Sequence, residues 1–328
     1  MRPFIYERAT TPAAAIQAGA THYLAGGTTL VDLMKLDVMR PEVVVDINAL
    51  ERTAWGRIDV SSSGVRLGAL VRMADAADHP DIRDGYPVIA QSLDLAASQQ
   101  IRNMASLGGN VLQRTRCTYF RDVSYTACNK RNPGSGCAAM DGHNRGHAVL
   151  GVSDHCIATY PSDFAQALIA LDATLEIVGP RGTRNIPFAA LHRQPGDAPD
   201  VETTLEAGEM IASFMIPALP WARRSLYLKI RDRQSYEFAL ASAAVALELE
   251  GGTVRNVRIA LGGVATIPWR AKEAEAVLRG KRIDEQTAKV AAEAAFAQAK
   301  TYEHNAFKVD LGKRTVTRAL RQAAALEI

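Results

Sequence analysis

All four cysteines of the chain fall between Cys117 and Cys156, in a stretch rich in Asn, Gly, Arg and His. Thiolates gathered in this way could ligate a metal or a metal-sulfur cluster. Their spacing, Cys-x10-Cys-x8-Cys-x18-Cys, is looser than the Cys-x2-Cys pairs of zinc ribbons or the compact run of bacterial ferredoxins, and it leaves three chemistries open. Four thiolates could hold an iron-sulfur cubane. His143, His147 or His155 could complete a zinc knot. The thiols could also stay free or pair as disulfides, although the rest of a 328-residue chain is ample to build a core without staples. The nearby Arg114, Arg116, Lys130, Arg131 and Arg145 would suit an anionic cluster, and they would equally serve as the solvated charges of a loop.

Two glycine loops carry a second kind of chemistry. In Leu24-Ala25-Gly26-Gly27-Thr28-Thr29-Leu30, a strand before and a helix after would aim backbone N–H groups at an anion, with threonine hydroxyls as extra donors. This is neither the Gly-x-Gly-x-x-Gly of a Rossmann site nor a Walker A loop. The second loop, Ala105-Ser106-Leu107-Gly108-Gly109-Asn110, repeats the pattern of small backbone donors with a hydroxyl and an amide. Either could be a plain turn, but together they suit a dinucleotide diphosphate.

The elements that must position these loops read as α/β. Residues 11–20 are Ala-rich and helical, 22–25 form a strand, and a helix opens after Gly27. Strands follow at 42–47 and 64–70, then helices from Met73 and Val88. A cysteine-bearing insert at about 113–156 interrupts the pattern, which resumes with a helix at 163–171 and strands at 173–178 and 210–216. Residues 180–199 are broken by Gly and Pro. Near Trp221 the register changes: 224–229, 239–250 and 254–262 suggest an antiparallel sheet, and helices follow at 271–279, 284–299 and 309–326. A net charge of +3 argues against nucleic acid. No stretch reads as a membrane span, and MRPFIYERATTP has neither an apolar run nor paired arginines, so no export signal is expected on this chain.

The segments AGGTTLVDLMK (25–35), ASLGGNVLQ (105–113), PSDFAQALIALDA (161–173) and GGVATIPWRAKEAE (262–275) resemble, in order, the FAD-binding subunit of the xanthine dehydrogenase or molybdenum hydroxylase family. The insert, with QRTRCTYFRD and CNKRNPGSGCAAMDG, is similar to that of the flavin subunit of three-subunit periplasmic aldehyde oxidoreductases. The resemblance spans the chain and implies an α+β fold. Residues 1–220 would be an FAD-binding domain of two α/β subdomains (PCMH-type) carrying the insert. Residues 221–328 would hold a three-stranded antiparallel sheet and a helical bundle. Leu24, Ala25, Gly26, Gly27, Thr28, Thr29 and Leu30 would cradle the FAD diphosphate, with Ser106, Gly109 and Asn110 from the second loop. Asp163 would take a ribose hydroxyl or a similar polar group, and Ile211 would pack on the flavin. Without the resemblance, Ser106 reads as a turn residue and Asp163 as a helix N-terminal acid. Tyr236 and Glu237 are near-flavin candidates outside this set. Cys117, Cys128, Cys137 and Cys156 match the ligands of a [4Fe-4S] cluster. One departure is Ala239, where xanthine dehydrogenases have lysine, which puts contacts to NAD in doubt.

No molybdopterin motif and no pair of [2Fe-2S] cysteine runs is present. The resemblance therefore implies an electron-transfer subunit with no catalytic side chain of its own. It would take electrons from a small [2Fe-2S] subunit, which pairs with a large molybdenum cofactor subunit, and pass them through FAD to a terminal acceptor. Periplasmic residence would follow from co-export with a signal-bearing partner, cytoplasmic residence otherwise. Two other functions stay open: the flavin subunit of a cytoplasmic hydroxylase acting on an aromatic thioester or heterocycle, and a zinc-stabilised nucleotide-binding module.

Overall fold

A computed structural model describes residues 1–18 and 22–328. Thr11 caps the helix Pro12–Gln17 through a bond from the Ala14 N–H, with proline in the first turn; residues 19 and 20, the end of the expected helix, lie outside the described residues. Among the described residues the strands form three sheets. Ile5–Arg8, Val43–Asp46 and His22–Leu24 make a parallel sheet in that order. A five-stranded antiparallel sheet runs Ile58–Ser61, Gly64–Gly68, Met210–Pro217, Thr174–Gly179, Gly182–Pro187. The C-terminal sheet holds the three long strands expected there, Ser225–Ile230, Ala241–Glu250 and Thr253–Gly262, with the two-residue strand Trp269–Arg270 added at its edge.

Strand Ala241–Glu250 shows why this sheet sits where it does. Its alternate residues Ala244 and Ala246 enter the large core built around Phe164, Leu168 and Phe214, while Ala243, Val245 and Leu247 enter a second core under the C-terminal helices. A strand buried on both faces reads as a continuous apolar run, and its two-residue period divides it between the two cores. Small side chains face helix Phe164–Ala170; larger ones face Lys272–Leu278, Glu285–Ala295 and Phe307–Ala324.

The insert has two single-turn helices, Thr118–Arg121 and Ala138–Asp141, and is otherwise turns and loop. Polar fastenings hold it. Asp32 receives Arg116 at 3.1 Å and Arg121 at 2.8 Å. Glu202 receives Arg114 at 2.8 Å and Lys130 at 3.1 Å. On the other side, Asn144 accepts from the His304 N–H and Asn305 donates to the Ala148 carbonyl. Beneath these bonds Leu33, Phe120 and Cys128 form a small apolar cluster.

Lys308 completes that seam. Fully buried, its ammonium donates to the carbonyls of Gly146 and His147 at 3.0 and 3.1 Å. Burial, followed by the nearby Arg145 charge, lowers its pKa from 10.5 to about 7. The unfolded chain keeps this proton up to about 10.5 while the folded chain releases it near 7, so across that window the unfolded state binds more protons and Lys308 makes stability rise with pH. Melting temperatures of the unmodified chain should therefore gain on those of K308M between pH 7 and 10. Parallel curves would show that the ammonium carries no burial penalty.

Candidate functional site

The first loop leaves strand His22–Leu24 and enters helix Leu30–Lys35. Gly26 lies so close to the start of the second loop that a Cβ there would fall 1.9 Å from the Met104 carbonyl oxygen. Gly27 follows with a φ of +72°, the left-handed region that glycine enters without steric cost. Polar groups brace this contact. The Asn48 amide donates to the Ala25 carbonyl at 3.0 Å, and its oxygen accepts from Arg72 at 3.2 Å. Arg72 also donates to the Met104 carbonyl and pairs with Glu51 at 2.7 Å. Asn48 and Arg72 thus fasten the two loops from behind. Sequence reading missed both, because neither belongs to a motif.

In the second loop Ser106 accepts from the Gly109 N–H at 3.1 Å, capping helix Leu107–Val111. Asn110 accepts from the Ser162 hydroxyl at 2.6 Å, which ties the loop to the segment after the insert. Thr29, at the head of helix Leu30–Lys35, makes no side-chain capping bond.

Two cavities meet at the first loop. One, of about 720 Å³, is lined by Ala25, Gly26, Gly27, Thr28, Thr29, Leu30, Ser106 and Gly109. The other, of about 500 Å³, is lined by Thr28, Thr29, Asn110 and Asp163, together with Asp32, Arg116, Tyr236 and Phe238. Thr28 and Thr29 line both, and so form a saddle between two lobes of ligand-pocket size. The arrangement fits an extended dinucleotide: open backbone positions at the middle, a chamber on either side. Leu24 and Ile211 line neither lobe. Leu24 accepts from the Ile47 N–H at 3.0 Å through its carbonyl, and Ile211 is buried in the main core with Phe214.

Asp163 is engaged from within the protein. Its carboxylate accepts from the Tyr227 hydroxyl at 2.6 Å and from Lys229 at 2.7 Å, and both charged side chains are almost wholly buried. Burial and then the Asp163 charge push the Tyr227 hydroxyl well above its ordinary pKa. Tyr227 and Lys229 escaped sequence reading because they come from strand Ser225–Ile230, far along the chain. Asp32 shows another balance. Burial raises its carboxyl, but Arg121 and Arg116 outweigh that and hold it below the usual carboxylate value.

The [4Fe-4S] expectation for Cys117, Cys128, Cys137 and Cys156 is corrected. All four are free cysteines, and among the described residues no group of three or more His, Cys, Asp or Glu is arranged to hold a metal ion. Cys128 and Cys137 face each other across an isolated backbone bridge, and His147 Nε2 lies 3.1 Å from Cys117 Sγ. Desolvation pushes Cys117 up to about 12 and Cys156 to about 11, and it raises Cys137 as well. That no metal-holding group is present among the described residues counts against the zinc knot as well. FAD is the cofactor that the comparisons support.

Residues 2–219 match the family described as FAD binding domain in molybdopterin dehydrogenase, and residues 226–323 the CO dehydrogenase flavoprotein C-terminal domain. The chain is 45% identical to the aldehyde oxidoreductase FAD-binding subunit PaoB of Escherichia coli, over 99% of each chain. It is 26% identical to the glyceraldehyde dehydrogenase medium chain of Sulfolobus acidocaldarius, over 82% of this chain and 77% of that one. Among solved structures, carbon monoxide dehydrogenase from Hydrogenophaga pseudoflava, in a form lacking the Mo-pyranopterin moiety, superposes with a TM-score of 0.76 at 27% identity and 99% coverage of both chains. The chain belongs to the FAD-binding medium subunits of the molybdenum hydroxylase family and is a subunit of an oxidoreductase.

Proposed function

We propose that this protein is the electron-transfer flavin subunit of a molybdenum-dependent aldehyde oxidoreductase. The observation that carries the reading is the saddle at Thr28 and Thr29, where two glycine loops meet between two lobes. The relative at 45% identity, named as an aldehyde oxidoreductase subunit, supports the substrate class. Relatives named medium chain and medium subunit support a complex with a small [2Fe-2S] subunit and a large molybdenum cofactor subunit. Bound FAD supplies the exchange between one-electron carriers and a two-electron acceptor.

The chain's own residues bind and orient. The N–H groups of 25–30 and the hydroxyls of Thr28 and Thr29 would receive the diphosphate, with Ser106, Gly109 and Asn110 closing the saddle. Ile211 acts from behind the lobes, through packing. Residues 1–220 serve as the binding domain and 221–328 as the domain that pins Asp163. Among the described residues no helix is long and apolar enough to cross a membrane; periplasmic residence by co-export with a signal-bearing partner belongs to this reading.

Four measurements test it. The purified chain should carry stoichiometric FAD. G26A should lose about 1–3 kcal/mol of stability in urea unfolding, since its Cβ overlaps a backbone carbonyl. G109A, whose Cβ would meet only Ser106 Oγ at 3.0 Å, should keep the fold and weaken FAD retention; unchanged retention would remove Gly109 from the site. In the assembled complex, anaerobic aldehyde should bleach the flavin absorbance while the chain alone stays oxidised. Bleaching of the chain alone would overturn the electron-transfer role.

A further inference from the structure

We propose that Arg116, from the insert, is a ligand of the FAD diphosphate, and that Arg121 positions it through Asp32. The proposal rests on the FAD reading above and adds a residue that neither glycine loop contains. Three arginines and three carboxylates line the smaller lobe, and Lys229, which stands behind Asp163, leaves one cation in excess among these paired groups. Asp163 is paired with Lys229 and Glu237 with Arg233 at 3.6 Å, whereas among the described residues Asp32 is the one carboxylate that pairs with both Arg116 and Arg121.

The two arginines are held differently. Arg121 sets two nitrogens on the two oxygens of Asp32, at 2.8 and 3.0 Å, in the forked geometry that fixes a carboxylate. Arg116 reaches Asp32 through one nitrogen at 3.1 Å, and its Nε is buried with no acceptor among the described residues. Its guanidinium lies 5.1 Å from the ring centre of Phe238, which limits how the plane can turn. Asp32 is in the first turn of helix Leu30–Lys35, directly after the two saddle threonines. A guanidinium with spare donors is therefore anchored beside the backbone on which the diphosphate would lie, and guanidinium suits phosphate by charge and by its planar fork. The larger lobe offers less: its arginine, Arg114, is bound to Glu202, and Asp200, Glu206 and Glu209 also line it.

The test compares FAD, ADP and riboflavin on the full chain freed of its flavin. R116Q should weaken FAD and ADP by a common factor of roughly tenfold to a hundredfold, the scale of a charged hydrogen bond, and leave riboflavin unchanged. R121Q should weaken both by less. Raising the salt should loosen FAD from the unmodified chain more than from R116Q. If R116Q does not fold, R116K supplies the comparison: it keeps the charge and should keep the salt dependence while losing part of the affinity. Equal loss on riboflavin would place Arg116 at the flavin ring and overturn the assignment, as would FAD binding within twofold of the unmodified chain or insensitive to salt. Failure of the unmodified chain to bind FAD would sink the FAD reading itself.

Discussion

The missing side chain at Gly26 sets the distance between the two glycine loops. Any Cβ there would overlap the Met104 carbonyl, so without glycine the loops would separate and the saddle at Thr28 and Thr29 would open. The contact alone is a bare backbone approach with little energy of its own. Asn48 and Arg72 make it durable, since each bonds to backbone on one loop and to the other residue. The parallel sheet supplies Asn48 two residues after the end of strand Val43–Asp46, and Arg72 follows strand Gly64–Gly68. Strand ends from two different sheets thus converge behind the loops.

A second constraint joins the C-terminal sheet to this site. Asp163 and Lys229 are a buried pair, and such a pair is held together mainly because separating it would leave a charge without water. Tyr227 and Lys229 stand two residues apart on one strand and so point the same way, both toward Asp163. The carboxylate closing the smaller lobe is therefore fixed by the other half of the chain. This explains how Asp163 can be a structural fastening and a wall of the ligand chamber at once.

Much of this architecture was legible. The C-terminal strands and helices followed from apolar runs and helical spacing, and Asp284 with Thr287 forms a capping box at one of the expected helix starts. What escaped notice had physical reasons. Strand Ile5–Arg8 is exposed at every residue, so no alternation marked it. Strand Gly182–Pro187 is an edge strand, half-buried at two positions and exposed at the rest, and its flanking Gly and Pro read as a break. Loop residues were legible because Gly and Thr at a strand-to-helix turn carry their chemistry locally. Their braces were not, since Asn48, Arg72, Tyr227 and Lys229 act across distances in the chain that no motif spans.

The insert drew attention through its cysteines, yet its charges account for how it is held. Asp32 and Glu202 each receive two cations from it, Arg116 with Arg121 and Arg114 with Lys130. One carboxylate cannot neutralise two cations; beside Glu202 the further acids Asp200, Glu206 and Glu209 of the larger lobe offset the surplus, whereas beside Asp32 it remains. A loop evolved only to be attached would need one cation per carboxylate. The surplus beside Thr28 and Thr29 has a use if the cleft receives an anion, and the diphosphate of FAD carries its charge at the middle of the molecule, where the two lobes join.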